Sequence, residues 1–415
     1  GAGYVGLVQA IGLAELGHRV RLAEADIFRR SQLEEGALPI YEAGLQEMFV
    51  VAVEAGLISI HADNCEVASN SELSFLCLPT PAGVEGVADI GFVQRVLEEL
   101  ANGVGGRPIV VIKSTIPVGT TARFIRRFGD RLVIAHNPEF LSEGTAVKDF
   151  LEPSRIVIGT DDPAVAGKIA KVYEGMDAPQ VLTDPTSAEL IKYGSNCYLA
   201  TRLTYVNALA NIAESVGADV LDVVKGMGLD PRIGPRFLQP GPGYGGSCFP
   251  KDTIALLATA RQAGYEFSLL QSVVDADRSQ RLWITGNIRR MVGDDLSGAN
   301  IALWGTAFKA GTDDTRESAA VKIAQSLIAG GAVVTAHDPR ASISKLRMAP
   351  DPVECARDAD IVVVATEWPE YRSIDFAEVA AIMRGDMVYD LRNLLDAAVV
   401  RRAGLSYRAL GRPRI

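Results

Sequence analysis

The sequence contains few of the residues that build metal centres and disulfide frameworks. Its 415 residues include only five cysteines and four histidines. The cysteines form no C-x-x-C pair, and the histidines show no metal-ligand spacing. We therefore expect no bound metal, and a reducing compartment, the cytoplasm, as the location of the protein.

Clustered positive charge and long apolar runs are missing as well. The formal net charge is −10 at pH 7, which argues against nonspecific binding of nucleic acid. No apolar run reaches the length of a transmembrane helix, so no membrane partner is expected. With 48% hydrophobic and 22% charged residues, the composition is typical of a globular chain of two or three domains.

A glycine motif opens the chain. Residues 1–6, Gly-Ala-Gly-Tyr-Val-Gly, fit G-x-G-x-x-G and run into an apolar helical pattern over residues 7–16. Such glycines let the backbone approach a pyrophosphate, and the helix N-terminus supplies partial positive charge. The pattern predicts a dinucleotide site that includes Gly1, Gly3, Tyr4, Val5 and Gly6. Because the motif has no strand ahead of it, we expect the full-length protein to contain a few further N-terminal residues.

An acidic residue follows at the expected distance. Glu24 ends a predicted strand over residues 20–24 and lies 18 residues after Gly6, near the position of the acid that binds a ribose 2′-hydroxyl. A carboxylate there repels a 2′-phosphate, so NAD is predicted. The neighbouring cations Arg29 and Arg30 leave NADP as the alternative.

The apolar patterns predict an α/β chain in three parts. Strand-like runs alternate with helical patterns up to residue 185, one long amphipathic helix follows from Thr186 to about Val216, and the α/β pattern returns after Gly298. The expected fold is two Rossmann-like, doubly wound domains with parallel sheets, joined by a long central helix. The domains are predicted as residues 1–185 for NAD, 186–298 for the helical part with a dimer face, and 299–415 for a second nucleotide-like ligand.

The segment from Gly241 to Asp252 has the clearest chemistry. Glycine, proline and serine surround Cys248, and Lys251 and Asp252 follow it. A thiolate is a good nucleophile toward an aldehyde and is favoured by nearby cations or a helix N-terminus. We therefore predict that Cys248 is a nucleophile, and that the other four cysteines are small buried residues: Cys65, Cys77, Cys197 and Cys355.

These segments resemble the UDP-glucose/GDP-mannose dehydrogenase family along essentially the whole chain. The matching motifs, in order, are GAGYVGL at Gly1, LPIYEAGL at Leu38, PTP at Pro79, STIPVGTT at Ser114, NPEFLSEGTAVKDF at Asn137, ELIKYGSN at Glu189, RIGPRFL at Arg232, GYGGSCFPKD at Gly243 and FKAGTDDTRES at Phe308. The resemblance implies oxidation of a sugar C6 alcohol to a carboxylate, with two NAD reduced per turnover. A thiol that adds to the intermediate aldehyde, giving a thiohemiacetal and then a thioester, suits the second oxidation.

The resemblance also implies roles for individual residues. The expected catalytic group is Cys248, Lys192, Asp252, Asn196, Glu139 and Thr115, with Lys192 and Asn196 one helical turn apart. Further cofactor contacts are expected at Arg29, Thr80, Thr115 and Glu143. Substrate contacts are expected from Glu139, Phe140, Leu141, Lys192, Asn196, Arg232, Phe237, Tyr244, Gly245, Phe249, Lys309 and Arg392, with Arg232 reaching across a dimer interface.

The substrate and two other classes of function remain open at this point. Ser247 before the cysteine and the motifs at residues 153–159 and 232–238 favour UDP-glucose, and GDP-mannose or another nucleotide sugar is the alternative. A hydroxyacid dehydrogenase would perform one oxidation without Cys248. A nucleotide sensor without enzymatic activity would bind without turnover.

Overall fold

The computed structural model describes residues 1–83 and 86–413. These residues form two compact units. Unit 1 comprises residues Gly1–Ser195 and Ile254–Tyr265, and unit 2 comprises residues Asn196–Thr253 and Glu266–Ile415.

Unit 1 alternates short strands with helices, as the sequence patterns predict. Its elements in chain order are α1 (Tyr4–Glu15), β1 (Val20–Ala23), α2 (Ile27–Glu34), α3 (Leu45–Glu54), β2 (Ile58–His61), α4 (Asn64–Ser69), β3 (Leu73–Leu76), α5 (Gly91–Gly103), β4 (Ile109–Ile112), α6 (Thr120–Phe128), β5 (Val133–His136), α7 (Ala146–Leu151), β6 (Ile156–Gly159), α8 (Pro163–Val172) and β7 (Gln180–Thr183).

The strands of unit 1 form two sheets, where the sequence predicted one. Strand β1 pairs with β2, and the second sheet has the order β3-β4-β5-β6-β7. All pairs are parallel except β5 with β6. Among the described residues no strand lies between β1 and β3, and both strands line a cavity of about 750 Å³.

Both faces of the larger sheet in unit 1 are covered. Val111 of β4 belongs to one apolar cluster with α1, whereas its neighbours Val110 and Ile112 belong to a second cluster with α5 and α6. Side chains alternate between the faces of a strand, so a strand that is buried on both sides needs a layer of helices on each. This arrangement confirms the doubly wound α/β prediction for unit 1.

A long helix, α9 (Pro185–Val216), connects the first α/β pattern to the rest of the chain. It begins at Pro185, a residue that suits the first turn of a helix because its missing N–H has no intrahelical partner there. The predicted long helix is confirmed. Residues up to Ser195 belong to unit 1, and those from Asn196 belong to unit 2.

Unit 2 contains the remaining elements. After α9 these are α10 (Val220–Gly228), α11 (Phe249–Gln262, its first five residues in unit 2), α12 (Ser268–Met291), β8 (Asn300–Trp304), α13 (Ala319–Ala329), β9 (Val333–His337), β10 (Arg347–Met348), α14 (Pro352–Cys355), β11 (Ile361–Val364), a 3-10 helix (Pro369–Ser373), α15 (Phe376–Ile382), β12 (Met387–Asp390), α16 (Ala397–Arg402) and β13 (Ser406–Ala409).

The sheet of unit 2 is parallel throughout and has the strand order β10-β9-β8-β11-β12-β13. Counted from β8, this is the order 3-2-1-4-5-6 of a Rossmann fold. Ile301 and Leu303 of β8 face one apolar cluster, and Ala302 and Trp304 face another. The order places a switch point between β8 and β11, where ligands of such sheets bind.

No helix among the described residues combines the length and the apolar character needed to cross a membrane.

A glycine in the middle of α1 permits close packing against α7, which gives a test of the fold. A Cβ at Gly12 would lie 2.2 Å from the ring of Phe150, so Gly12→Ala is expected to destabilise the chain by about 1–3 kcal/mol through overpacking. Gly167 in α8 has nothing within 4 Å of the equivalent Cβ, so Gly167→Ala should be stabilising by about 0.5–1 kcal/mol. Thermal unfolding of both variants checks this, and equal midpoints would contradict the packing argument.

Candidate active site

The acid predicted from its spacing lies directly beside the glycine turn. Glu24 follows β1 and is 7% exposed. One carboxylate oxygen accepts a hydrogen bond of 2.8 Å from the Ala2 backbone N–H, and the other accepts one of 2.8 Å from the N–H of Asp26. The turn and the acid therefore hold each other in place.

Glycine is suited to positions 6 and 3 of the turn for different physical reasons. A Cβ at Gly6 would lie 1.9 Å from the carbonyl oxygen of Gly1, so the turn itself excludes a side chain there. A Cβ at Gly3 would meet nothing within 4 Å, so its backbone faces open space at the N-terminus of α1, where Tyr4 and Val5 form the first turn. This is the geometry that receives a pyrophosphate.

Arg29, the second predicted partner of the nucleotide, is near the acid. Its guanidinium Nη1 lies 3.7 Å from an oxygen of Glu24. Because the carboxylate holds this cation and the turn together, the cluster suits a ribose that carries hydroxyl groups, as in NAD.

Two threonines predicted to contact the cofactor are also brought together in unit 1. The hydroxyl of Thr80 donates a hydrogen bond of 2.8 Å to the backbone carbonyl of Thr115. Ser114 closes the same region, because its hydroxyl accepts from the Leu78 N–H at 2.7 Å. The loops after β3 and β4 are therefore joined at the carboxyl end of the sheet.

A buried ion pair joins two of the predicted catalytic residues. The Lys192 ammonium donates to Glu139 at 2.7 Å, and the two side chains are 3% and 8% exposed. Burial alone would raise the pKa of Glu139, but the positive charge and hydrogen bond of Lys192, with the N–H of Leu141, hold it below 4.5. Lys192 is therefore not the solvated cation that a helix lysine usually is.

The next residue, Phe140, is packed between cations. The guanidinium carbon of Arg155 lies 3.5 Å from the centre of its ring, and the Lys192 ammonium lies 5.4 Å from it. Arg155 also donates to the hydroxyl of Ser195 at 3.4 Å. The cations fix Phe140 and, through it, the backbone that carries Glu139 and Leu141.

Lys113, which the sequence analysis did not select, supports the start of this loop. Its buried ammonium donates to the Asn137 side-chain oxygen at 2.9 Å and to the Tyr173 hydroxyl at 3.2 Å. Asn137 in turn donates to the carbonyl of Val157 at 2.7 Å. The sequence signal was the lysine at the end of the apolar run of β4.

Glu189 is a second residue that sequence reasoning missed. Fully buried in α9, it accepts hydrogen bonds from the N–H of Gly119 at 2.5 Å, the N–H of Thr121 at 2.7 Å and the Thr121 hydroxyl at 2.6 Å. It thus holds the first turn of α6, which follows the Thr115 loop. The available signal was an acid one helical turn before the buried Tyr193.

In unit 2, the predicted nucleophile lies at the start of a helix. The carbonyl of Cys248 accepts the Asp252 N–H at 2.8 Å, so Cys248 directly precedes the first turn of α11. Its sulfur lies 3.6 Å from the Ser247 hydroxyl, and the residue is partly exposed. A helix N-terminus stabilises an anion, which is the form of a thiol that attacks carbonyl carbon.

Asp252 is a fully buried acid whose two carboxylate oxygens each accept a hydrogen bond within unit 2. Lys251 donates to one oxygen at 2.6 Å, and the side-chain amide of Asn196 donates to the other at 2.6 Å. Asn196 and Asp252, two of the predicted catalytic residues, are therefore in contact. Lys251, which was expected to bias the cysteine, forms its ion pair with Asp252.

The glycine-rich loop before the cysteine is held by aromatic and backbone contacts. The ring of Phe249 lies 6.4 Å from those of Phe237 and Tyr244. Phe237 has a φ of 59°, in the left-handed region that favours glycine. The N–H of Tyr244 donates to the buried Asp277 at 2.9 Å, and a Cβ at Gly245 would lie 2.8 Å from the carbonyl of Glu317.

Arg392 lies at the switch point of the unit 2 sheet. Its guanidinium donates to the carbonyl of Ala365 at 3.0 Å and of Phe308 at 3.1 Å, and Nε is 2.9 Å from Glu367. These carbonyls follow β11 and β8. Lys309 also follows β8, with its ammonium 5.7 Å from the Phe308 ring. Two cations at this edge match the charge of a diphosphate.

Arg232 differs from the other predicted substrate residues because it is on the surface. Its guanidinium pairs with Asp230 at 2.7 Å, and the side chain is 87% exposed. Its contact with substrate stays a prediction.

The remaining cysteines are less uniform than expected. Cys197 and Cys355 are buried, whereas Cys65 and Cys77 are partly exposed, so the prediction was wrong for those two. Cys65 is partly exposed because α4 buries only the side chain of Ala68. It also groups with Asp63 and Glu99, whose ligand atoms lie within 4.8 Å of one another among the described residues, but Asp63 already caps α4 and Glu99 accepts from Asn64.

The chain matches three parts of one family in sequence order. Residues 1–177 match the NAD binding domain of the UDP-glucose/GDP-mannose dehydrogenase family, residues 186–279 its central domain, and residues 302–397 its UDP binding domain.

Individual relatives match over their whole lengths. The chain is 39% identical to a UDP-glucose 6-dehydrogenase of Rhizobium meliloti, with 100% of this chain and 98% of that protein covered. It is 37% identical to a UDP-glucose 6-dehydrogenase of Pseudomonas aeruginosa, at 100% and 97% coverage. Among solved structures, a UDP-glucose dehydrogenase from Pyrobaculum islandicum has a TM-score of 0.91 and 34% identity, with 99% and 96% of the chains covered.

The buried acid Glu189 predicts a pH dependence of stability. Burial raises its pKa from 4.5 to about 7, against the hydrogen bonds from Thr121 and Gly119, which lower it. Because the pKa of Glu189 is higher in the folded chain than in the unfolded chain, its protonation adds to the free energy of unfolding. This contribution is fully present below pH 4.5 and is lost as the pH rises to about 7. The loss is at most about 3 kcal/mol, because each pKa unit is worth about 1.4 kcal/mol.

Chemical unfolding between pH 4.5 and 8 measures this contribution. Stability should fall with pH more steeply for the unsubstituted chain than for Glu189→Gln, whereas Glu174→Gln, which changes an exposed acid of unit 1, should leave the slope unchanged. Parallel curves for the chain and Glu189→Gln would contradict the raised pKa.

Proposed function

Because the chain belongs to the UDP-glucose/GDP-mannose dehydrogenase family, we propose that it is a UDP-glucose 6-dehydrogenase. It is an NAD-dependent oxidoreductase that converts the C6 alcohol of UDP-glucose to the carboxylate of UDP-glucuronate. The observation that carries this proposal is the full-length similarity to two UDP-glucose 6-dehydrogenases.

The glycine turn of unit 1 holds NAD in this proposal. Gly3 leaves open space at the N-terminus of α1, Glu24 takes the ribose hydroxyl groups, and Thr80, Thr115 and Glu143 contribute further contacts. When bound, NAD accepts hydride in each oxidation. The domain roles follow as residues 1–185 for NAD, 186–298 for the helical part and 299–415 for the UDP-sugar.

The thiol of Cys248 provides the covalent step. It adds to the C6 carbon of the aldehyde and forms a thiohemiacetal, whose oxidation gives a thioester. Water then attacks the thioester carbon, the carbon–sulfur bond breaks, and the carboxylate and the thiol are released. The position of Cys248 at the N-terminus of α11 favours the thiolate.

The remaining polar residues stabilise charge and move protons. The Lys192 ammonium and Asn196 stabilise oxyanions, and Asp252 accepts the proton of the alcohol through water. Glu139 is ionised at neutral pH because Lys192 holds its pKa low, so its carboxylate can orient and deprotonate the water that hydrolyses the thioester. Thr115 contacts the reacting water in this scheme.

In unit 2, the proposed substrate contacts lie at the carboxyl edge of the sheet and in the loop around Cys248. Arg392 and Lys309 bind the diphosphate because both cations follow strands of the unit 2 sheet. The other proposed contacts are Phe140, Leu141, Arg232, Phe237, Tyr244, Gly245 and Phe249.

Stoichiometry tests the proposed reaction. The purified chain with NAD and UDP-glucose should form two NADH per sugar consumed, because alcohol and aldehyde are oxidised in turn. GDP-mannose should give little turnover under the same conditions. Turnover with GDP-mannose but not with UDP-glucose would contradict UDP-glucose as the substrate. Formation of one NADH per sugar would contradict the double oxidation.

Removal of the nucleophile tests the covalent step. Cys248→Ser should lower the formation of UDP-glucuronate by at least about 10³-fold, because a hydroxyl is a far weaker nucleophile than a thiolate. Cys65→Ser, which changes another partly exposed thiol, should retain activity. Unchanged acid production by Cys248→Ser would exclude the thioester mechanism.

We also propose that the protein is a cytoplasmic homodimer that uses a face of α9. Tyr198, Tyr205 and Ile212 are 62%, 58% and 56% exposed and recur every seven residues, which places them on one face of a helix. Large apolar side chains exposed in a row support an interface between copies. The five cysteines all lie in described residues and none is in a disulfide, which supports a reducing compartment.

A charged residue introduced in the middle of the exposed face of α9 tests the proposed dimer interface. Tyr205→Glu should convert the dimer to a monomer in light scattering coupled to gel filtration, because an unpaired carboxylate would be buried between two copies. Val51→Glu, at a residue of α3 that is 65% exposed, should leave the mass unchanged. A Tyr205→Glu variant with the dimer mass would exclude this face.

A further inference from the structure

The motif from Leu38 to Leu45 is the one family-like segment to which no role has yet been given. It forms the loop between α2 and α3. The side chain of Gln46 fixes the loop, since its oxygen accepts the Leu38 N–H at 2.9 Å and its amide donates to the carbonyl of Gly36 at 2.7 Å. The loop therefore presents its one buried acid, Glu42, in a defined place.

Glu42 is 5% exposed, and its carboxylate bridges two segments that are far apart in the sequence. One oxygen accepts hydrogen bonds from the Tyr4 hydroxyl and from the Gly144 N–H, the latter at 2.7 Å. The other oxygen accepts the Ala146 N–H at 2.9 Å. A buried carboxylate is costly without such donors, so these hydrogen bonds hold both segments against the loop that carries Glu42.

The two bridged segments each carry residues of the proposed reaction. Tyr4 is the first residue of α1 and follows Gly3 of the dinucleotide turn. Gly144 has a φ of 81° and directly follows Glu143, in the loop that begins with Glu139. One carboxylate thus connects the cofactor turn to the loop of the proposed hydrolytic acid.

The direction of the Tyr4 hydrogen bond is set by its surroundings. Burial raises the pKa of the Tyr4 hydroxyl, and the hydrogen bond and negative charge of Glu42 raise it further. The hydroxyl therefore stays protonated and donates, while the carboxylate accepts.

We propose that Glu42 is a positioning residue that couples the dinucleotide turn to the loop of residues 139–145. This inference rests on the proposed function, because it assigns NAD to the turn. With Glu42 in place, Tyr4 and Gly144 are held by the same carboxylate, so NAD binds to a turn whose neighbouring loop is already ordered. Without it, part of the binding energy of NAD is used to order both segments.

A double-mutant cycle on NAD affinity tests the coupling. The variants are Glu42→Gln, Tyr4→Phe and the two combined, with Glu47→Gln as a control that removes an exposed acid of α3. The dissociation constant of NAD is measured by calorimetry without any sugar, and the KM for NAD and kcat are measured with UDP-glucose. Thermal unfolding of each variant reports structural loss separately.

Glu42→Gln should raise the dissociation constant of NAD about tenfold, because an amide donor replaces an acceptor of charge-assisted hydrogen bonds. Tyr4→Phe should raise it by a smaller factor, and the combined variant should be no weaker than Glu42→Gln alone. Glu47→Gln should bind NAD as tightly as the unsubstituted chain.

Other outcomes overturn the inference. A lower thermal midpoint with an unchanged dissociation constant would give Glu42 a purely structural role. If the combined variant raises the dissociation constant of NAD by the product of the two single increases, Tyr4 contributes to NAD binding independently of Glu42. If Glu42→Gln does not fold, Tyr4→Phe decides, because unchanged NAD affinity in that variant contradicts the coupling. Failure of the unsubstituted chain to bind NAD would instead count against the proposed function.

Discussion

Buried carboxylates that accept backbone N–H groups hold the loops of unit 1 in place. A carboxyl group taken out of water is costly unless hydrogen-bond donors surround it, and a loop at the end of a strand has unpaired N–H groups to offer. Glu24 meets the glycine turn, Glu42 the loop before α7, and Glu189 the first turn of α6. Each acid comes from a different element, so the loops are fixed relative to the scaffold that carries these acids.

The same constraint acts in unit 2 with shorter side chains. Asp338 accepts the N–H groups of Thr306 and Ala307, which follow β8, and Asp390 accepts those of Leu394 and Leu395. Asp338 follows the strand at which a dinucleotide fold keeps its ribose-binding acid, and the cations Arg392 and Lys309 lie at the carboxyl edge of this sheet. These cations suit the sheet to a ligand that carries a diphosphate. The two Rossmann-like sheets thus use one rule for different ligands.

Local sequence patterns predicted the residues that can be recognised from a single segment of the chain. Glu24 was found from its spacing, Cys248 from the small residues around it, and the doubly wound faces from apolar runs. The partners of these residues were not predictable in this way, because Glu42 meets Gly144 across a hundred residues of chain, and Lys113 meets Asn137 and Tyr173 only once the sheet exists.

The backbone of Phe237 is strained at a residue that is a proposed substrate contact. A left-handed φ of 59° is unfavourable for a residue with a side chain by about 1–2 kcal/mol, and the strain persists because the ring packs near Phe249, next to the thiol. A selection for heat resistance alone would favour glycine or asparagine there and remove the ring. Because residue 237 is a proposed substrate contact, the design of a more heat-resistant form of this protein has to measure activity as well as melting temperature for substitutions there.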